Sequence, residues 1–220
     1  MPVYHIARAR VTPELKGDWD GPAWGATEAL EVAGFHEKSS DHRPRTQAKL
    51  LYDDSNLYVV FRVEDKYVRS VRTGYQAEVC KDSCVEFFVG PHADLGYFNF
   101  ETNCGGSLLL HYNGKGNDAG WQSLVAQSWL EKVRLYHSMP SVVPNELPGP
   151  QTWLVEYAIP FDLFDAHVRP VRPVAGKEWR ANFYKCASDC SHPHWASWSP
   201  IGEALTFHDP RYFGRLVFEA

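Results

Sequence analysis

The stretch from Thr46 to Val63 reads TQAKLLYDDSNLYVVFRV and carries the clearest indication of the fold class. A turn-forming run, DDSN at 53–56, separates two apolar segments, and side chains of this kind bond to nearby backbone and tolerate left-handed conformations. From Leu57 to Val63, apolar residues recur at every other position, which is the period of a β-strand. The stretch therefore predicts a β-hairpin.

Segments of the same character recur along the chain with turn residues between them. We also predict strands at Cys84–Val89, Tyr97–Asn103, Ser107–Tyr112, Glu131–His137, Trp153–Ile159, Glu178–Ala187 and Gly214–Phe218. No segment carries a 3.6-residue apolar period long enough for a major helix. The pattern predicts an all-β chain with few short helical turns: one antiparallel two-sheet β-sandwich, immunoglobulin-like or jelly-roll in type, over residues 1–220.

Proline marks two local features. The segment Met139–Gln151 contains four prolines and a glycine, which predicts an irregular surface loop. The run IPFDLF at 159–164 predicts the end of a strand followed by a short helical turn, because proline is tolerated at the first position of a helix.

Composition narrows the class of partner. The formal net charge is −5, so the chain has no surplus of positive charge to neutralise nucleic acid or an anionic membrane surface, and neither is predicted as a partner. The 8 Trp, 11 Tyr and 12 Phe exceed what a core of this size needs, which predicts that some rings face a ligand.

Compartment is predicted from the N-terminus and the cysteines. The first residues lack an apolar run long enough for a signal peptide, and no later segment has the length of a membrane span. The five cysteines are odd in number and sparse, which favours reduced thiols over a disulfide framework. The sequence as given predicts a soluble, cytoplasmic protein, or a secreted one if the natural chain has been trimmed.

Six local patterns occur in an order that is similar to one known family. They are GDWDGPAW at 17–24, LYDDSNLYV at 51–59, DSCVEFF at 82–88, EYAIPF at 156–161, WRANFY at 179–184, and SWSP at 197–200 with FH at 207–208 and FG at 213–214. Together they cover most of the chain, which resembles the family 9 carbohydrate-binding modules and their stand-alone relatives. The resemblance implies non-catalytic binding of one or two sugar units, such as a chain end, in a polysaccharide-degrading context.

The resemblance also implies site residues. Trp198 matches the ring that forms one wall of the family's site, and a core tryptophan is the competing interpretation. The family's second ring falls at or near Cys80 here, so either Tyr75 replaces it from upstream or the site is built differently. Trp195 is a further candidate, because it follows a histidine-containing loop that can line the site.

Polar candidates complete the expected sugar site, since a pyranose offers an apolar face and a rim of hydroxyls. Glu86 and Asn182 match family positions that bond to the sugar rim, and Glu101 lies where some relatives carry a basic residue. Tyr184 shares one strand face with Asn182 because strand side chains alternate. A solvated strand carboxylate is the competing interpretation of Glu86.

Metal binding remains an alternative. Cys186, Cys190, His192 and His194 are zinc-ligand types gathered within nine residues, but their spacing is not that of a common zinc finger, and a disulfide is a further alternative. The resemblance implies structural calcium in some members, for which Asp53, Asp54 and Asp82 are weak candidates. No cofactor is predicted beyond these alternatives.

Catalysis is the rival function class. Glu86 and Glu101 form a carboxylate pair of the kind that glycosidases use, but no sequence feature distinguishes them from binding carboxylates, and the chain lacks a nucleophile elbow, a phosphate loop and an HExxH motif. We therefore predict no enzyme activity. The alternatives are an accessory part of a glycoside-hydrolase system, a Cys/His metal protein, or a structural domain that no longer binds sugar.

Overall fold

A computed structural model describes residues 1–114 and 122–220. Its strands are β1 (Val3–Arg8), β2 (Leu30–Glu31), β3 (Gly34–Phe35), β4 (Arg45–Tyr52), β5 (Asn56–Asp65), β6 (Val68–Ser70), β7 (Cys84–Gly90), β8 (Tyr97–Asn103), β9 (Leu108–Asn113), β10 (Gln122–Leu124), β11 (Arg134–His137), β12 (Val143–Leu147), β13 (Gln151–Pro160), β14 (Glu178–Cys186), β15 (Trp195–Ser197) and β16 (Gly214–Phe218). Its helices are α1 (Gln127–Leu130) and α2 (Phe161–Asp165), and single 3₁₀ turns lie at Val79–Lys81 and Pro210–Tyr212. No helix in these two ranges has the length and apolar character needed to cross a bilayer.

The strands form a sandwich of two sheets that share β1. The first sheet has the order β10-β9-β8-β7-β14-β16-β1, and the second has the order β1-β4-β5-β13-β11. The first four residues of β1 pair with β16, and its last two residues pair with β4, so one strand passes from one sheet to the other. Both pairings of β1 are parallel, whereas the other ladders are antiparallel. The predicted β-sandwich is confirmed.

The hairpin predicted at the outset is β4 and β5, and its two faces have different neighbours. Leu57, Val59, Phe61 and Val63 lie in the main core between the sheets. Tyr58 and Val60 point the other way and pack under the N-terminal segment, where Trp24 is the largest buried side chain. Apolar residues on both faces of β5 therefore reflect burial on both sides.

All nine strands predicted from the sequence are present, within a few residues at their ends. The prediction of an irregular loop over Met139–Gln151 is wrong, because β12 lies inside it and pairs with β6. Only Val143 and Leu147 of β12 pair in register with β6, and the ladder is irregular between them. Pro144, which has no N–H to donate, therefore lies where no ladder hydrogen bond is required. The predicted helical turn after Ile159 is α2, which begins one residue later than expected, with Pro160 as its N-cap.

Candidate functional site

The outer face of the first sheet carries an unusual set of buried polar side chains. Ala181 and Phe183 of β14 point into the core between the sheets, so Asn182, Tyr184 and Cys186 point outward. Glu86 of β7 lies directly opposite Tyr184 on one side and opposite Glu101 of β8 on the other. These outward side chains are nevertheless buried, which shows that another part of the chain covers this face.

The covering segments leave a cleft of about 280 Å³ above the two carboxylates. We call it the Trp195 cleft, and its lining residues are Cys80, Glu86, Glu101, Cys186, Ser188, Trp195, Leu205, Thr206, Phe207 and His208. The lining thus combines two aromatic rings with carboxyl, hydroxyl and imidazole groups. Its volume is close to the lower end of the range for small-molecule sites, about 300–1,000 Å³.

Trp195 points into the cleft because of the register of β15 against β14. Ala196 is the core-facing residue of β15, so its neighbour Trp195 points outward and lies opposite Cys186. The backbone of Trp195 is held on both sides: its N–H donates to Ser39 Oγ, and its carbonyl accepts from the His36 N–H. The strand that carries Trp195 is thus anchored on both sides, and the indole itself is half-buried.

Glu86 and Glu101 form the floor of the cleft, with only 2% and 6% of their surfaces exposed. Glu101 accepts a hydrogen bond from Asn99 Nδ2 at 2.8 Å, and Asn99 Oδ1 in turn accepts from Asn113 Nδ2 at 2.6 Å. Burial raises the pKa of Glu101 to about 7 despite the Asn99 bond. Burial, Cys186 and Glu101 together raise the pKa of Glu86 well above its usual value.

A second ring system forms another part of the lining. Phe207 stacks on the buried Tyr184 with ring centroids 4.0 Å apart, and the Tyr184 hydroxyl donates to the Phe207 carbonyl. His208 Nδ1 lies 2.9 Å from the Tyr97 hydroxyl. Tyr184 therefore supports the ring that reaches the cleft and is not itself among the lining residues.

The structure separates the two tryptophans of the C-terminal motif. Trp198 follows Ala196 by two positions and likewise faces inward, where its ring meets Phe183 edge-on at 5.6 Å. Its indole lies so close to Gly214 that a Cβ there would come within 2.4 Å of it. The described lining of the cleft does not include Trp198.

Two other expected site residues have visible structural partners. Asn182 is fully buried and bonds through both side-chain atoms to the backbone of Ser199, which fixes the segment after β15. Tyr75 is 46% exposed and its hydroxyl donates to the Val125 carbonyl, so it bridges to another loop outside the described lining. Of the predicted residues, the structure brings Glu86, Glu101 and Trp195 together in the cleft.

The four thiol and imidazole residues proposed as zinc ligands do not converge. Cys186 lies beside Glu86, whereas His194 Nε2 lies 2.7 Å from the buried ammonium of Lys185 on the inner side of the same sheet. His192 stacks on Tyr67 with ring centroids 3.7 Å apart. Across residues 1–114 and 122–220, the one group of three side chains close enough to share an ion is Cys84, Glu86 and Cys186.

The acidic residues proposed for calcium are also dispersed. Asp53 closes the β4–β5 turn by accepting from the Ser55 and Asn56 N–H groups, and Asp54 pairs with Arg8. Asp82 is buried elsewhere and accepts from two backbone N–H groups and from Asn103. Calcium takes six to eight oxygen ligands. The described residues proposed for it do not fit that requirement.

His194 belongs to a buried polar cluster at one end of the core, which we call the Lys185 cluster: Lys185, Asp65, His42 and His194. Lys185 Nζ lies 3.4 Å from Asp65 Oδ2, and His42 Nε2 lies 2.7 Å from Asp65 Oδ1. His194 Nδ1 is 2.9 Å from the His192 carbonyl, so this nitrogen donates and Nε2 accepts from Lys185. Burial and the Lys185 charge lower the pKa of His194 to about 3.

The pKa of His194 makes stability depend on pH in a defined direction. The unfolded chain takes up the proton at a pKa of about 6.5, whereas the native histidine stays neutral until about pH 3. Acid therefore favours the unfolded state below pH 6.5, by about 2 kcal/mol between pH 7 and pH 5. We expect urea unfolding of His194→Gln, which keeps one acceptor and one donor, to lack this share of the pH dependence. If the free energies of unfolding of the wild type and of His194→Gln change equally with pH, the pKa assigned to His194 is wrong.

Comparison with known proteins places the chain in a family. The model of carbohydrate-binding family 9 matches residues 27–218. The crystal structure of a "putative carbohydrate-binding protein" from Bacteroides uniformis ATCC 8492 is 31% identical, with 99% of both chains covered and a TM-score of 0.86. No curated protein matches the chain significantly.

Two solved family 9 module structures from Caldicellulosiruptor kristjanssonii share the fold at 14% identity. One, in complex with cellotriose, has a TM-score of 0.63 over 99% of this chain and 94% of the other, and one, in complex with glucose, has a TM-score of 0.61 over 98% and 95%. The family match covers most of the sequence, and the resemblance predicted from the ordered motifs is confirmed. The chain belongs to carbohydrate-binding family 9 and is a carbohydrate-binding protein.

Proposed function

We propose that the Trp195 cleft is the sugar-binding site and that it takes a glucose unit, alone or at the end of a short β-glucan. The observation that carries the proposal is the meeting of Trp195 and Phe207 with the Glu86 and Glu101 carboxyl groups in one cleft. Cellotriose and glucose are the ligands bound in the two Caldicellulosiruptor structures that share this fold.

Each part of the cleft matches one part of a pyranose. An indole presents a flat apolar surface on which the C–H face of the ring can stack. Carboxylates, hydroxyls and imidazoles bond to the hydroxyl rim, and Glu101, Thr206 and His208 offer one of each. We assign Trp195 the stacking role. Tyr184 supports the Phe207 ring, Asn182 fixes the segment after β15, and Trp198 packs against Phe183 in the core.

We further propose that binding is not followed by cleavage. Glycosidases place their two carboxyl groups on either side of the scissile bond, where one protonates the leaving oxygen. Glu86 and Glu101 are instead neighbours on adjacent strands of one sheet face, and both lie beneath the cleft. A sugar bound above them therefore has both carboxyl groups on the same side. Incubation with cellotriose should release no glucose, and time-dependent release detected by chromatography would contradict this proposal.

Isothermal titration with glucose and cellotriose tests the site. We expect saturable binding by the wild-type protein and at least about tenfold weaker binding by Glu101→Gln at pH 8, because a hydrogen bond to a charged group contributes about 1.5–3 kcal/mol. At that pH the carboxylate, with its pKa of about 7, is ionised.

Glu178→Gln is the matched control, since Glu178 pairs with Arg215 at the exposed start of β14. We expect this variant to bind as the wild type does. Equal affinities for Glu101→Gln and the wild type would remove Glu101 from the site, and absence of binding to every sugar in a broad glycan array would overturn the proposed function.

A further inference from the structure

Two thiols and a carboxyl group meet beneath the Trp195 cleft on neighbouring strands. Cys84 of β7 and Cys186 of β14 are direct partners in the antiparallel ladder, so their side chains lie on the same face. Glu86 follows Cys84 by two positions and therefore shares that face. All three residues are buried, with at most 2% of their surfaces exposed.

The donor atoms of these residues are spaced as metal ligands are. One ligand atom from each lies within 4.8 Å of the other two, and Cys186 Sγ is 3.1 Å from Glu86 Oε1. With metal–sulfur bonds of about 2.3 Å and metal–oxygen bonds of about 2.0–2.2 Å, tetrahedral ligands stand roughly 3.4–3.8 Å apart. Small side-chain adjustments would bring the three atoms to these separations around an ion.

The groups around this position suit a cation. Five acidic groups, the thiols of Cys80, Cys84 and Cys186 and the carboxyls of Glu86 and Glu101, are gathered at the base of the cleft. The described lining contains no lysine or arginine that would repel an ion. The nearby ammonium of Lys185 points to the other side of the sheet, where it faces Asp65 and His194.

The donor types select the class of ion. Sulfur and imidazole ligands suit Zn²⁺ and other soft or borderline ions, whereas calcium and magnesium require oxygen ligands. Two sulfurs and one carboxylate oxygen fill three of four tetrahedral positions. The fourth position faces the cleft, because Glu86 and Cys186 are both part of its lining.

We propose that Cys84, Cys186 and Glu86 bind one Zn²⁺ ion beneath the Trp195 cleft, with the fourth coordination position directed into it. The two thiols and the carboxyl group release their protons when the ion binds. The site is separate from the cysteine and histidine loop considered from the sequence, of which it includes only Cys186. It does not depend on sugar binding, since the contacts to sugar are assigned to Trp195, Glu101, Thr206 and His208, and none of these is a ligand.

Cadmium is the probe, because Cd²⁺–thiolate bonds absorb in the ultraviolet. The full chain is reduced, stripped with a chelator and titrated with Cd²⁺. A second stripped sample is loaded with Zn²⁺, and the zinc it retains after gel filtration is measured by elemental analysis. We expect the thiolate band to saturate at one equivalent, stoichiometric zinc to be retained, and Zn²⁺ to raise the melting temperature. Absence of a saturating band at one equivalent would overturn the proposal.

Matched cysteine variants identify the ligands. Cys84→Ser and Cys186→Ser should each bind Cd²⁺ at least 100-fold more weakly, whereas Cys190→Ser, which changes another buried thiol, should bind as the wild type does. Loss of the band in Cys190→Ser, or its retention in Cys84→Ser, would contradict the ligand set. Should the ladder cysteines be needed for folding, Glu86→Gln leaves both thiols in place and is expected to bind Cd²⁺ about tenfold more weakly.

One further variant separates this proposal from the proposed function. Trp195→Ala should keep the Cd²⁺ band and the zinc stoichiometry while losing sugar affinity. If the wild-type protein binds Cd²⁺ in the expected ratio but binds no sugar, the proposed function fails and the metal site stands. If it binds sugar but forms no thiolate band, the metal site fails and the function stands.

Discussion

Asp65→Ala is expected to lower the free energy of unfolding by about 3–5 kcal/mol, because removal of one partner from a buried ion pair leaves the other charge without compensation. Lys185, which is fully buried, has its Nζ 3.4 Å from Asp65 Oδ2. The same carboxylate accepts hydrogen bonds from Trp153 Nε1 at 3.3 Å and from the Lys66 N–H at 2.8 Å. One truncation therefore breaks an ion pair and leaves the Trp153 donor unpaired in the core.

The electrostatics of Asp65 support this expectation. Burial raises the pKa of a carboxyl group, yet the Lys185 charge, the His42 hydrogen bond and the His194 interaction outweigh burial and hold the pKa of Asp65 well below its usual range. The native state thus favours the ionised form strongly. The stabilisation is present above the unfolded pKa of about 3.9 and is lost as the pH falls toward the native value.

Urea unfolding followed by tryptophan fluorescence measures the effect, and Asp189→Ala is its control. Asp189 is half exposed and pairs with Arg72, so its removal should cost less than about 1 kcal/mol. The double variant Asp65→Ala/Lys185→Met should be more stable than Asp65→Ala, because it removes the uncompensated charge as well. If Asp65→Ala costs no more than Asp189→Ala, the pair does not stabilise the core.

The sequence predicted the strands of four residues or more, apart from β1 with six residues and β12 with five, and missed those of two or three residues. β5, β7 and β13 each carry at least seven residues with alternating or wholly buried side chains, and turn residues bound them. β2, β3 and β15 have two or three residues, so no alternation can be counted within them. Their positions depend on pairing with distant strands.

The shortness of β15 also explains why the sequence did not show which tryptophan faces the cleft. Glu86 and Glu101 lie on long strands, and their residue type and resemblance to family positions were enough to name them. Trp195 and Trp198 lie three positions apart around a three-residue strand, and the face of each depends on the register in which Ala196 pairs with Lys185. Phe207 lies in a segment without regular structure, so no pattern in the sequence signals that Tyr184 supports it.

Trp195→Ala is expected to lower the affinity for sugar by about 30-fold or more, as for a central aromatic contact that contributes at least about 2 kcal/mol. The stacking surface is lost, whereas the anchoring of β15 is kept, because the bonds to Ser39 and His36 use backbone atoms. The ring is only half-buried, so the melting temperature should change little. Titration with the sugar that the wild type binds, together with a thermal melt, measures both quantities.

Trp198→Ala is the informative comparison, because it changes the same residue type on the opposite face of the segment. Its ring packs on Phe183 and against Gly214, so truncation should destabilise the fold by about 3 kcal/mol while the protein that remains folded binds sugar normally. Trp129→Ala, on α1 beside His167, provides a second control outside the described cleft. If Trp198→Ala loses sugar binding in its folded form while Trp195→Ala retains it, the stacking ring is Trp198 and the sugar binds outside the Trp195 cleft.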